Sequence, residues 1–240
     1  MVNWSQWGVE TATACYVVSA AAYLLILNQR PQRLKVHASF FKKTANVSVL
    51  LGWVLVILCF LDGGVWVTSE HKAFVFLSGT ILAVHWFFNG RREWMGLNAS
   101  VVLAALFSLG YAQWFDRLDL PTSPLGQSGW FVAHSTLQFL SYGFLAVSSL
   151  TFFFYSVYRR KRRMDEKTIE PLVFSGRKTL MTGFLLLTGS VVSGFISTQR
   201  IYGSYWGWDS NEIYVLTLWG MLAGYYAKRA CCRRDERRSG

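Results

Sequence analysis

Residues 177–200 read Arg177-Lys178-Thr179-Leu180-Met181-Thr182-Gly183-Phe184-Leu185-Leu186-Leu187-Thr188-Gly189-Ser190-Val191-Val192-Ser193-Gly194-Phe195-Ile196-Ser197-Thr198-Gln199-Arg200. Cations bound the run at both ends, and the uncharged stretch between them is about 20 residues, the length a helix needs to cross a bilayer. Gly183, Gly189, Ser190, Ser193 and Gly194 recur at spacings that let membrane helices approach closely, which is a packing signal. Similar apolar runs recur throughout the 240 residues, of which 52% are hydrophobic, 17% aromatic and only 15% charged. Soluble domains carry about a quarter charged residues. The chain is therefore an all-α, polytopic membrane helix bundle.

Helices are predicted at about 9–28, 45–62, 73–89, 97–114, 131–157, 179–198 and 212–228. The basic residues lie in the stretches that join these runs, so the net charge of +11 is explained by membrane orientation, not by nucleic acid. All but Lys72, Arg117 and Arg200 fall on one side of a seven-span arrangement. The positive-inside rule then places the N-terminus outside and the C-terminus in the cytoplasm. No basic leader precedes the first run, which predicts that it stays in the mature protein. The whole of 1–240 reads as a single integral membrane domain with a basic linker at 158–178 and a basic cytoplasmic tail at 229–240. Cys15 and Cys59 read as small packing residues. Cys231 and Cys232 read as reduced thiols in the tail, with lipidation the lesser alternative. No C-x-x-C occurs, which removes a thioredoxin-type pair and covalent haem attachment to this chain.

On the outer face the topology gathers the segment 114–130 with Pro121 and Pro124, the start of the fifth helix with His134, and the loop 199–212. That loop holds Tyr202-Gly203-Ser204-Tyr205-Trp206-Gly207-Trp208-Asp209. Flat aromatic faces on a glycine-rich backbone suit a large planar ligand, and they equally suit an interfacial aromatic belt. Asp209 and Glu212 read as an N-cap with its box-like partner for the seventh helix, with a part in the site left open. His134, at the same depth, has the chemistry of an axial haem ligand. His37 reads as a polar anchor in a basic loop.

The run Trp206-Gly207-Trp208-Asp209, with Gly203 before it and Glu212 and Leu216-Thr217-Leu218-Trp219 after it, resembles the tryptophan-rich WWD motif of haem-handling membrane proteins of the CcsA/ResC type. His134 to Ser141-Tyr142 is similar to that family's H-x-x-x-x-x-x-S-Y segment, and Val67 to Phe74 is a weaker match to its N-x-Y-E-S stretch. HemX-type proteins share part of the pattern. The resemblance implies that b-type haem, bound non-covalently and in transit, is presented on the outer face and then joined to an apocytochrome c. The membrane would be a bacterial cytoplasmic or thylakoid-like one. Implied partners are a CcsB/ResB-type subunit and a thiol reductant protein. By the same resemblance His134 is the first external ligand, and Tyr205, Trp206, Trp208 and Asp209 form the platform.

Two positions depart from the family pattern: Ala227 stands where a cytoplasmic-side histidine is expected, and the 240 residues hold no counterpart of a further helix with a second external histidine. The second ligand is then expected from His71, on the same face as His134, or from a partner subunit. His85 is a candidate replacement for the ligand missing at Ala227, or an interhelical hydrogen-bonding residue. Arg200 is a candidate for the haem propionates or an interfacial anchor. No nucleophile or acid–base pair is visible, so a haem lyase subunit here would act as a template. The alternative function is a HemX-like regulator or scaffold without attachment activity. A transporter is disfavoured by the lack of an acidic relay in the spans and of paired interrupted helices.

Overall fold

The computed structural model describes residues 4–28, 37–62, 70–88, 95–117, 129–160, 166–208 and 210–238, and among these it is helical apart from the aromatic loop. The helices are α1 (Trp4–Asn28), α2 (His37–Asp62), α3 (Glu70–Phe88), α4 (Met95–Arg117), α5 (Gly129–Arg160), α6 (Glu166–Tyr202) and α7 (Ser210–Arg238). Pro121, Pro124 and Asp209 lie outside the described residues. Four helices contain stretches long and apolar enough to cross a membrane: Gly8–Leu25, Leu97–Trp114, Gly129–Arg160 and Ile169–Tyr202. Shorter apolar stretches are Asn46–Leu58 in α2 and His71–Val84 in α3.

Large apolar side chains point outward, Phe107, Leu185, Leu58 and Val192 among them, while Ser19, Ser78, Ser141, Ser148 and Ser190 are buried. A membrane interior produces this distribution. Lipid tails are as apolar as leucine, so helix association rests on close packing of small residues and on interhelical hydrogen bonds. The chain is an integral membrane protein.

The helix ends differ from the hydropathy reading. Much of the expected basic linker 158–178 is helix, because α5 runs to Arg160 and α6 begins at Glu166 and continues through Pro171. Likewise α7 continues through the tail to Arg238. Hydropathy locates the part of a helix that lipid covers. The backbone helix continues past it because propagation is cheap and Arg, Lys and Glu are good helix formers.

α5 is the joint of the bundle. On one side it meets α3, with Phe139 against Phe74 (ring centroids 5.8 Å apart) and Gly143 against Thr80. On the other side it packs along α6 through a repeated contact. Ser148 Oγ donates to the Gly176 carbonyl (3.0 Å), Ser141 Oγ to the Gly183 carbonyl (2.8 Å), and His134 Nδ1 to the Ser190 carbonyl (2.8 Å). These rungs recur every seventh residue on both helices and run in opposite directions, two turns apart, which keeps one face of each helix on the other. The α6 residues on the rungs are Gly, Gly and Ser, so the side chains reach the backbone unobstructed. α7 lies on α6 through a small cluster of Leu187, Leu145 and Val215, with Trp219 donating its indole N–H to Thr188 Oγ1 (3.0 Å).

Candidate functional site at the end of α5 and α6

The rung nearest the aromatic loop differs in kind from the other two. His134 Nδ1 faces the Ser190 carbonyl oxygen, which can only accept, so Nδ1 carries the ring proton. The Ser190 hydroxyl lies 3.2 Å from the same nitrogen and donates to the His134 carbonyl (3.3 Å), which turns a lone pair toward Nδ1–H. A neutral imidazole in this tautomer has its basic lone pair on Nε2. Protein ligands to metals are commonly oriented in this way, with the second ring nitrogen donating to a carbonyl or carboxylate. Gly194 makes room for the ring: a Cβ there would come within 2.9 Å of His134 Nδ1 and 3.0 Å of Cε1.

The loop after α6 is shaped by three local devices. Gly203 ends the helix in a left-handed conformation (φ 73°), its N–H bonded to the Gln199 carbonyl (3.0 Å), a common helix C-cap. Trp208 also has positive φ (57°), which a bulky residue adopts only when its surroundings enforce it. Between them, Gly207 N–H donates to the Glu212 carboxylate (2.8 Å). Glu212 therefore braces the aromatic loop in addition to sitting in the first turn of α7. Replacing Glu212 by Ala is expected to loosen the loop by about 1 kcal/mol, the worth of one such hydrogen bond. Amide exchange at Gly207 several times faster than in the wild type would show it.

These pieces enclose a cavity of about 130 Å³ whose walls include Phe131, His134, Phe195, Trp206 and Glu212. Trp206 rests on Phe195 (centroids 5.4 Å) and meets Trp208 edge-on (5.9 Å). The Trp206 indole nitrogen is buried and has no hydrogen-bond partner among the described residues. A buried donor without a partner is costly and marks a place where an acceptor from outside would be welcome. Ligand pockets usually occupy about 300–1,000 Å³. At about 130 Å³ the cavity is smaller than that range.

The structure thus brings His134, Trp206 and Glu212 together. Tyr205 (67% exposed) and Trp208 (76% exposed) stand on the outer side of the loop, away from the cavity wall. Arg200 lies over the Trp130 ring (5.4 Å), tying the end of α6 to the start of α5, and does not line the cavity. His71 is directed to α4, where its Nδ1 meets the Ala112 carbonyl (3.0 Å), and it is not part of the cavity wall either. His37 and His85 fall within α2 and α3. The roles of Ser190 and Gly194 were not distinguished in the sequence from ordinary helix packing. Their register with His134, every seventh residue from the serine rungs, is the signal that could have found them.

Comparison with known proteins bears on the same region. The family model described as Cytochrome C assembly protein matches residues 69–238, which takes in α3 to α7 and the whole cavity. The cytochrome c biogenesis protein CcsA of Trieres chinensis is 24% identical over 81% of this chain and 78% of its own length. CcsA of Welwitschia mirabilis is 27% identical over 71% and 67%. CcsA of Chlamydomonas reinhardtii reaches 31% identity over 45% of this chain and 32% of its own. No solved structure matches the chain. With the family match extending over well more than half its length, the chain belongs to the cytochrome c assembly protein family, and within it to the CcsA type.

Proposed function

We propose that this protein presents haem at the outer face of a membrane for covalent attachment to an apocytochrome c. The observation that carries the proposal is His134: its ring is fixed by the Ser190 carbonyl with Nε2 as the basic nitrogen, at a cavity shared with Trp206. Haem is cargo in this reading, and the residues present fit it. An imidazole is available for the iron, flat aromatic surface for the macrocycle, and the Trp206 N–H as a donor to a polar edge. Trp208 and Tyr205 extend the platform beyond the cavity. The chain spans the membrane seven times, with the N-terminus and the aromatic loop outside and the basic tail in the cytoplasm.

The cavity wall supplies one imidazole, and His71 is turned toward α4. The second axial ligand is assigned to a partner polypeptide, a CcsB/ResB-type subunit. Thioether formation adds a cysteine thiol across a haem vinyl group, and the cofactor carries that chemistry. This chain contributes binding and orientation, holding the vinyl groups where a thiol from the apocytochrome can reach them. A thiol reductant keeps the cysteines available.

The reading is tested by purifying the protein with its natural partner in detergent and recording the reduced-minus-oxidised spectrum. A haem spectrum is expected, and its absence would contradict the proposal. A second variant addresses the propionates. Arg200→Gln is expected to lower haem retention by up to about fivefold, the worth of an exposed charge pair, and to leave the ligand spectrum unchanged. Unaltered retention would assign Arg200 solely to its contact with Trp130.

A further inference from the structure

We infer that Ser190 and Gly194 are positioning residues for His134: α6 takes the Nδ1 proton at the Ser190 carbonyl and gives the ring its room at Gly194, so that Nε2 is the nitrogen presented to the haem iron. The inference rests on the haem reading above and concerns how that site is built.

Ser141 and Ser148 show that a hydroxyl donating to an α6 carbonyl is enough to hold α5 on α6. A histidine at the last rung makes the same bond with Nδ1 and adds a second ring nitrogen on a side chain that lines the cavity. The larger ring needs space that a serine does not, and Gly194 supplies it one turn beyond Ser190. A Cβ at 194 would lie 2.9 Å from Nδ1 and 3.0 Å from Cε1, inside ordinary contact distance. At Gly189, on the same helix, a Cβ would meet only Leu137 Cδ1, at an ordinary 3.6 Å. The two glycines are alike in sequence and unlike in purpose. The Ser190 hydroxyl, 3.2 Å from Nδ1, adds a second acceptor to the same proton.

The strength of acceptance at Nδ1–H governs how basic the ligating nitrogen is. Weakening it makes Nε2 a poorer donor to ferric iron. Ser190→Ala keeps the carbonyl and removes only the hydroxyl. It is expected to retain haem, to raise the midpoint potential and to lower the iron–histidine stretching frequency of the ferrous form. Gly194→Ala displaces the ring and is expected to lose the iron–histidine band, which free imidazole then restores. A purely structural role for either residue would move neither the potential nor the band.

The test uses the full chain labelled with ¹⁵N in its histidine rings and purified haem-free in detergent at pH 8, with His134→Ala to assign the resonances. Wild type and Gly189→Ala are expected to show His134 in the Nδ1–H tautomer alone, and Gly194→Ala a mixture of tautomers. The same samples, with Ser190→Ala, are then loaded with haem for the potential and vibrational measurements. His134 in the Nε2–H tautomer in the haem-free wild type would overturn the inference. So would an unchanged tautomer, potential and band in both variants. Should Gly194→Ala fail to insert, Ser190→Ala decides the matter alone. A wild type in the Nδ1–H tautomer whose haem spectrum is unmoved by His134→Ala would instead contradict the haem reading, and with it the purpose assigned to the two residues.

Discussion

His134→Ala is expected to lower the haem bound per protein at least tenfold, with each factor of ten corresponding to about 1.4 kcal/mol of binding. On the proposed function the size follows from the make-up of the cavity, where His134 is the one histidine among the described wall residues. Aromatic contacts to Trp206 and Phe195 remain in the variant, but stacking alone does not replace a coordinate bond. The fold is expected to survive. The Ser190 carbonyl loses the imidazole donor, yet the Ser193 hydroxyl lies between it (3.0 Å) and the Gly189 carbonyl (2.9 Å) and can turn its one proton to either, so the penalty of a buried acceptor with no donor in reach is avoided. Haem extracted from equal amounts of purified wild type and variant gives the ratio. Free imidazole, small enough to enter the space left by the ring, should recover part of the binding.

A large loss of stability is expected from Gly143→Ala. Gly143 is where α5 comes closest to α3: an added Cβ would press on Thr80 Cγ2 and lie 2.9 Å from Thr80 Cβ and 3.4 Å from the Ile81 backbone nitrogen. Thr80 cannot yield easily. It is 6% exposed, its hydroxyl is bonded to the Phe76 carbonyl (2.9 Å), and a β-branched side chain has few rotamers in a helix. Overpacking of this kind costs about 1–3 kcal/mol. Because α5 joins the first four helices to α6 and α7, the clash also loosens one half of the bundle from the other. Gly110→Ala is the matched control, since nothing lies within 4 Å of a Cβ there. Without a clash, the change should be neutral or slightly stabilising through helix propensity. Thermal unfolding in detergent, followed by the helical circular dichroism signal, compares the two.

Much of this architecture was legible in the chain, and each part that was not has a reason. The uncharged run from Thr179 to Gln199 announced a membrane helix because lipid tolerates little else, and the aromatic loop after Arg200 announced itself by composition. His134 stood out through its place at the head of α5. What hydropathy missed at 166–178 and 229–238 is helix outside the apolar runs, where charge is no obstacle to helical backbone. Direction was the other hidden quantity. His71 and His134 read alike as outer-face histidines, but which neighbour each faces depends on helix rotation, and packing turned His71 to Ala112 on α4 and His134 to Ser190 on α6. In the same way, Glu212 looked like a capping-box acid and also reaches back to Gly207, because the loop folds over the start of α7. Sequence spacing alone does not show such a return.

The proposed function requires haem to be held where α5, α6 and the aromatic loop meet. Its most direct test is a distance comparison, since haem quenches a nearby fluorophore by energy transfer. One dye is placed on Ser204→Cys in the loop and, in a second preparation, on the native Cys232 near the far end of α7, the other cysteines being changed to Ser in each case. Helix α7 carries Cys232 about 33 Å along its axis from Ser210, so the two positions report on opposite ends of the site's supporting helix. Added haem is expected to quench the dye at 204 strongly and the dye at 232 weakly, and His134→Ala should abolish the difference. Stronger quenching at 232, or quenching at 204 that persists undiminished without His134, would contradict the account.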